Sequence, residues 1–303
     1  MVQLSEYYYI KNFVKLGLKG AWHEEPGAIN VLMMPGVLPE REGSDPGELQ
    51  SVKNIADKYN DIIIYARRNP KTGKGEVYAA GGTAEPGRHY TEVAPHPGGA
   101  AHLCWGQTPM FPFKRKNGRT VLRADATRFW RDPNMDYKQG RHEPVFTRDI
   151  GQWFHAMGTA ESIGKWSAGC VGPCGGYDGA AYRQFMKWLK DHPKEKPVLV
   201  TLWGFADYCE FHRAYRHSIG PILFRPTLRK GIRDFTDYGP VRDLQNLLKK
   251  AGYDPGPIDG DWMGKTEKAF AEFQAGENLT VDGICGQRSW TKLENLVYGG
   301  NHA

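Results

Sequence analysis

The chain has 303 residues, 40% of them hydrophobic and 12% aromatic, with nine Trp and a formal net charge of +6. That apolar content fills the cores of two domains and excludes global disorder. The mean hydropathy of −0.58 excludes a membrane-spanning helix, and the scattered lysines and arginines lack the basic block of a nucleic-acid binder, so the balance suits an anionic polymer.

The N-terminus, MVQLSEYYYIKNFVKLGLKG, has no cationic start, apolar stretch and small-residue cleavage site in sequence, so no secretory signal is expected. Five cysteines, an odd number, leave at least one thiol unpaired and argue against a disulfide scaffold.

Residues 5–16 are expected as a short helix, and 28–34 as a strand that stops at Pro35-Gly36. Residues 37–49 read as a polar loop, and the apolar spacing of 50–59 predicts a helix. The run DIIIYAR at 61–67 predicts a buried strand, Asn69-Pro70-Lys71-Thr72-Gly73 a turn, and 76–80 the returning arm of a hairpin. Residues 81–150, rich in Gly, Pro, His and aromatics, predict short strands and long loops. A helix is expected from about Asp178 through 185–189, and a strand at 197–204. Residues 226–239 carry Pro, Gly, Arg and Lys and read as a linker.

From Val241 the texture changes. Val241, Leu244, Leu247 and Leu248 recur at helical spacing, followed by Ile258-Asp259-Gly260, Gly264 and Thr266. A second helix carries Ala269, Phe270 and Phe273, followed by Val281-Asp282-Gly283, Gly286 and Ser289-Trp290. This is an internal repeat in which Asp-Gly makes a tight turn and Thr266 and Ser289 are placed to cap the next helix. The pattern, covering about residues 240–297, resembles the three-helix peptidoglycan-binding domain of amidases and endolysins. The resemblance implies a shallow ligand groove near Asp259, Gly260, Asp282 and Gly283. Cys285 reads as a packing residue.

The chemistry is expected in 1–225, where His155 precedes Trp166-Ser167-Ala168-Gly169-Cys170 by one loop. A Cys is the best neutral-pH nucleophile once its thiolate is favoured, and a nearby His supplies the base. Gly169 allows the close backbone approach that an oxyanion-binding N–H requires. The segment is similar to the catalytic stretch of L,D-transpeptidases, with Ala168 where that family has His and no Arg after Cys170. The Ser-Ala-Gly-Cys variant, with Gly82-Thr83-Ala84-Glu85-Pro86-Gly87, Tyr90, Trp130-Arg131-Asp132 and Asp136, resembles a divergent branch associated with phage, patchily over 55–190. The resemblance implies a Cys170 thioester on a stem-peptide carbonyl with His155 as base. Ser167 is expected to bond the His or the substrate, and Trp166 to wall the site.

Other assignments use the same residues. Cys170, Cys174, Cys209 and His212 form a possible zinc set, and Cys170 with Cys174 a possible disulfide. His89, His96, His102 and His142 with Asp125, Asp132 or Asp136 form a second metal set, without the usual spacing of zinc peptidases. Glu85, Glu92, Glu143 and Glu161 offer no evident glycosidase pair. A wall-binding phage structural protein without catalysis is the non-enzymatic alternative.

The expectation is therefore a mostly β (α+β) catalytic domain of L,D-transpeptidase-like type at 1–225, a linker at 226–239, and a small all-α peptidoglycan-binding domain at 240–303. It cleaves stem-peptide or cross-link amides as an endolysin or virion-associated lysin, with cross-linking by transpeptidation as the alternative. No cofactor or metal is expected. The partners are bacterial peptidoglycan and, through the phage resemblance, phage-particle components. The expected location is the host cytoplasm before release to the wall, or the virion.

Overall fold

The computed structural model describes residues 6–218, 222 and 224–299. The chain divides into two units, Met1–Asn12 with Trp22–Phe205 and Phe13–Ala21 with Ala206–Ala303.

Fully buried, largely apolar runs build the centre of the first unit. Asn30–Met34 (NVLMM) and Val198–Leu202 (VLVTL) are buried along their whole length, as strands covered on both faces must be. They pair in parallel, while Asn30–Met34 pairs antiparallel with Asp61–Arg68, which returns through the expected turn into Gly75–Thr83. The full sheet has eight strands in the order Trp153–Phe154, Thr120–Arg123, Gly106–Lys114, Val198–Leu202, Asn30–Met34, Asp61–Arg68, Gly75–Thr83 and Gly172–Pro173. Its two outer strands meet through a parallel bridge between Phe154 and Val171, so the sheet closes on itself. Closure removes the open edges that a sheet otherwise exposes.

The helix Ala180–Leu189 covers this sheet with Ala181, Tyr182, Phe185 and Trp188. The Phe185 ring lies 5.2 Å from both Tyr65 and Phe154. A separate three-stranded sheet, Val145–Arg148, Thr127–Asp132 and Ala100–Leu103 in that order, accounts for part of the loop-rich 81–150 segment.

Several expectations change here. Residues 50–59 are not a helix: Leu49–Ser51 pairs with Val37–Pro39 as a short hairpin across the segment expected to be loop. The reason is local side-chain competition. Asn60 Nδ2 donates to the carbonyls of Lys53 and Ile55, both at 3.1 Å, and Asp57 sits at φ +63°. The N-terminal helix is Tyr7–Asn12, which passes into a π-helical turn, Phe13–Gly17.

In the second unit, the helices Pro240–Lys250, Gly264–Gly276 and Gln287–Tyr298 enclose Leu244, Leu248, Trp262, Phe270, Phe273, Trp290 and Leu293. The segment 226–239, expected as a linker, is built into this unit. Leu228–Arg229 pairs with Ile284–Cys285, and the Asp234 carboxylate accepts the N–H groups of Val241 (2.9 Å) and Arg242 (2.8 Å) at the first helix N-terminus. Residues 206–225, expected in the catalytic domain, also belong here. Phe13 packs edge-on against Tyr208 at 5.0 Å and meets Phe211 at 5.9 Å.

Candidate active site

Closure of the sheet positions the candidate nucleophile and base. His155 N donates to Val171 O (3.0 Å), Val171 N to Trp153 O (2.9 Å) and Met157 N to Pro173 O (2.8 Å). Phe154 and Val171 are fully buried in the core. Side chains alternate along a strand, so His155 and Cys170 leave these neighbouring strands on the opposite face together. Gly172 is required at this junction: its φ is +149°, and a Cβ there would lie 1.9 Å from the His155 carbonyl oxygen.

His155 is buried, and its Nδ1 lies 2.7 Å from the Ala156 carbonyl oxygen. A carbonyl only accepts, so Nδ1 carries the proton and Nε2 presents its lone pair. Burial lowers the imidazole pKa, outweighing the raising effect of the Ala156 carbonyl, and Arg115 lowers it further. Burial also pushes the Cys170 thiol up, against the lowering effects of the Trp153 N–H and the Arg115 charge. The two groups therefore rest as a neutral thiol and a neutral imidazole.

The turn before Cys170 is held from inside. Ser167 is fully buried; its hydroxyl donates to the Cys170 carbonyl at 2.6 Å and accepts the Gly169 N–H at 3.1 Å. It thus braces the turn and makes no hydrogen bond to His155. Gly169, expected to offer an oxyanion donor, has that N–H committed to Ser167. Its role is steric: φ is +127°, and a Cβ would lie 2.6 Å from the Ala101 carbonyl oxygen. The Cys170 N–H has no protein acceptor among the described residues and is therefore the uncommitted donor of this turn. Trp166 is 43% exposed and lies against Gly158, where a Cβ would meet its indole nitrogen at 2.3 Å.

The upstream motifs gather around this turn. Thr83 and Gly82 pair with Gly172 and Pro173, and Gly87 N donates to Ser167 O at 2.8 Å. Asp61 is fully buried and receives the N–H groups of Gly36 (3.0 Å) and Ala84 (2.8 Å); burial, with the neighbouring Glu85, pushes its pKa up to about 8. Asp132 accepts from Asp136 and Tyr137 N–H groups and lies 3.5 Å from His102 Nε2, whose ring stacks on Trp130 at 4.2 Å.

Four residues near the pair were not singled out from sequence. Gln152 is buried and donates from Nε2 to the Gly169 carbonyl. Tyr177 is parallel to the His155 ring, with centroids 6.4 Å apart. Arg115 lies over the Trp153 ring at 4.4 Å, and Arg119 over Tyr177 at 4.1 Å. The Asn117-Gly118 dipeptide was the available signal for the last two, since it marks a hairpin that carries one Arg on each side.

The metal sets weighed from sequence are not assembled. Among the described residues no group of three or more His, Cys, Asp and Glu side chains is placed to hold a metal ion. Cys170 and Cys174 belong to one unit and Cys209 and His212 to the other, and all five cysteines are free thiols. A cleft of about 1070 Å³, lined by Tyr7, Arg67, Lys71, Lys187 and Trp188 among others, contains neither Cys170 nor His155.

In the second unit, each Asp-Gly turn is clamped by a glutamine from the preceding helix. Gln245 Nε2 donates to Asp259 Oδ1 (2.9 Å) and its Oε1 accepts Gly260 N–H (2.9 Å). Gln274 repeats this with Asp282 (2.8 Å) and Gly283 (3.0 Å). The four turn residues expected at a ligand groove thus make the turns themselves. Beside the second turn lies a hollow of about 290 Å³ lined by Gln274, Thr280, Asp282, Gly286 and Arg288 among others. Thr266 and Ser289 are not helix caps, because the helices begin earlier, after Met263 and Gly286. Thr266 instead donates to Pro255 O at 3.1 Å and accepts from Gln245 at 3.0 Å.

Residues 237–293 match the family model described as a putative peptidoglycan binding domain. The match falls on the three-helix part of the second unit and supports peptidoglycan binding there. No curated protein matches the chain in sequence.

Proposed function

We propose that the first unit carries a cysteine acyl-transfer centre acting on peptide bonds of peptidoglycan, with hydrolysis as its outcome, while the C-terminal module holds the protein on the wall. The observation that carries this reading is the placement of His155 and Cys170 on one face of two paired strands, with His155 Nδ1 committed to a carbonyl. The similarity of Trp166-Ser167-Ala168-Gly169-Cys170 to the L,D-transpeptidase motif supports the same assignment.

In this reading His155 Nε2 takes the thiol proton as Cys170 Sγ attacks the scissile carbonyl carbon. The carbonyl electron pair moves to oxygen, which accepts the Cys170 N–H. Its return expels the amine, which takes its proton from His155, and leaves a thioester on Sγ. Water then attacks the thioester carbonyl, giving one proton to His155. The acid leaves and Sγ regains that proton. An amine in place of water would make the same intermediate a cross-linking one.

Cys170→Ala and wild-type protein incubated with purified sacculi, with soluble products read by mass spectrometry, test the proposal. Wild type is expected to release stem-peptide fragments and the variant none above background, while both sediment equally with the wall. Release by Cys170→Ala at the wild-type rate removes the cysteine mechanism. Wild-type sedimentation without any product leaves a binding protein alone. Because the anchor raises effective concentration, wild-type rates on insoluble wall should exceed those on equimolar soluble muropeptide.

A further inference from the structure

The segment Gly151–His155 runs beside the turn that carries Cys170. The Cys170 sulfur lies 3.9 Å from Gly151 O, Val171 N donates to Trp153 O at 2.9 Å, and His155 N donates to Val171 O at 3.0 Å. Among these contacts the buried Gln152 side chain donates from Nε2 to the Gly169 carbonyl oxygen. The opposite placing of the amide would set Oε1 against that oxygen, acceptor on acceptor, so the nitrogen is the end that faces it. Oε1 is buried with no hydrogen-bond partner among the described residues. A buried amide with one polar end unpaired works against stability, so folding alone does not account for it.

The bond falls on one particular peptide unit. Ser167 Oγ accepts the Gly169 N–H and donates to the Cys170 carbonyl, which holds the units on either side, Ala168–Gly169 and Cys170–Val171. The unit between them, Gly169–Cys170, is held among the described residues by Gln152 alone, and its other end is the uncommitted Cys170 N–H. A peptide unit is planar and rigid, with N–H and C=O pointing opposite ways, so fixing the oxygen fixes the direction of the hydrogen. Gly169, at φ +127°, has no Cβ to resist rotation of this unit. A hydrogen bond at the oxygen also polarises the amide and makes its N–H a stronger donor.

We propose that Gln152 is a positioning residue for acyl transfer: by holding the Gly169 carbonyl it aims and polarises the Cys170 N–H at the substrate oxygen that gains charge. This rests on the cysteine reading above. Gln152 is buried and acts only through the peptide unit, so its effect belongs to the transition state and not to substrate binding.

Steady-state kinetics of the full-length protein on a soluble muropeptide test this with Gln152→Met, which keeps the length of the side chain and lacks the donor. kcat is expected to fall about tenfold to a hundredfold, less than the roughly 10²–10³-fold lost when an oxyanion donor is removed outright, with KM within about twofold of wild type. The Cys170 amide nitrogen resonance is expected to move in this variant, while those of Gly169 and Val171, bonded to Ser167 and Trp153, stay. Gln152→Glu restores a donor only while its carboxyl is protonated, so its kcat relative to wild type is expected to rise as pH falls. Wild-type kcat in Gln152→Met, a loss carried by KM alone, or an unmoved Cys170 resonance overturns the proposal. A Gln152→Glu to wild-type ratio that is independent of pH reduces Gln152 to packing and overturns it too. Absence of turnover by wild type removes the cysteine reading and this role with it, whereas wild-type turnover that Gln152→Met preserves removes only the role of Gln152.

Discussion

In the proposed mechanism a neutral Cys170 thiol gives its proton to the His155 imidazole, so the chemistry depends on the imidazole lone pair. Protonation of His155 removes that lone pair, so the proposed activity is expected to fall as pH drops through its pKa. Burial displaces this pKa downward, and the acid limb of kcat/KM on a soluble muropeptide is expected below the ordinary imidazole value of about 6.5. A limb centred at or above that value contradicts the buried, carbonyl-bound state of His155. His155 and Cys170 were legible in sequence as candidates because a thiol and an imidazole are chemically distinctive residue types. Ser167 and Gly169 were legible as neighbours but not in their roles. A hydroxyl bonding the Cys170 carbonyl and one bonding a substrate look the same in one dimension, and only the buried position of Ser167 separates them.

At the scale of elements, strong apolar runs were readable and short-range turn chemistry was not. The strands expected at 28–34, 61–67 and 197–204 are found as Asn30–Met34, Asp61–Arg68 and Val198–Leu202, because buried sheet residues need no polar alternation. Residues 50–59 did not become a helix because Asn54 and Asp57 interrupt its apolar spacing, and Asn60 satisfies backbone groups that a helix would have used. In the C-terminal repeat the Asp-Gly turns were evident, while the glutamines that lock them were visible only as the recurring Leu-Gln and Phe-Gln pairs at Gln245 and Gln274. Gln245 is fully buried and serves Asp259, Gly260 and Thr266 at once. Gln245→Ala strands those partners and is expected to cost the second unit about 1–3 kcal/mol. Denaturant unfolding followed by Trp fluorescence reads this, and an unchanged midpoint would show that the clamp adds nothing.

For the whole molecule, the chain passes between units after Asn12, returns after Ala21 and crosses again after Phe205. Composition could not reveal this, since residues 13–21 resemble the helix they continue and 226–239 resemble a linker. A chain stopped after residue 239 lacks the strand partner of Leu228–Arg229 and the Trp290 indole that donates to Pro226 O at 2.8 Å. It leaves Leu228 and Ile232, both buried in the intact unit, open to water. Such a product is expected to aggregate or to lose the lower part of its melting profile; a monodisperse product with an unchanged profile argues that residues 206–239 fold without the three helices. The early detour of Phe13–Ala21 also sets an order of events during translation. Phe13 is made before the rings of Tyr208 and Phe211 that pack on it, which come only after all of Trp22–Phe205 has been made, roughly ten to forty seconds later at ordinary elongation rates. For that interval the nascent chain displays the apolar side chains of Phe13, Val14 and Leu18, buried in the finished protein, without the rings that later cover Phe13, a natural target for a ribosome-associated chaperone.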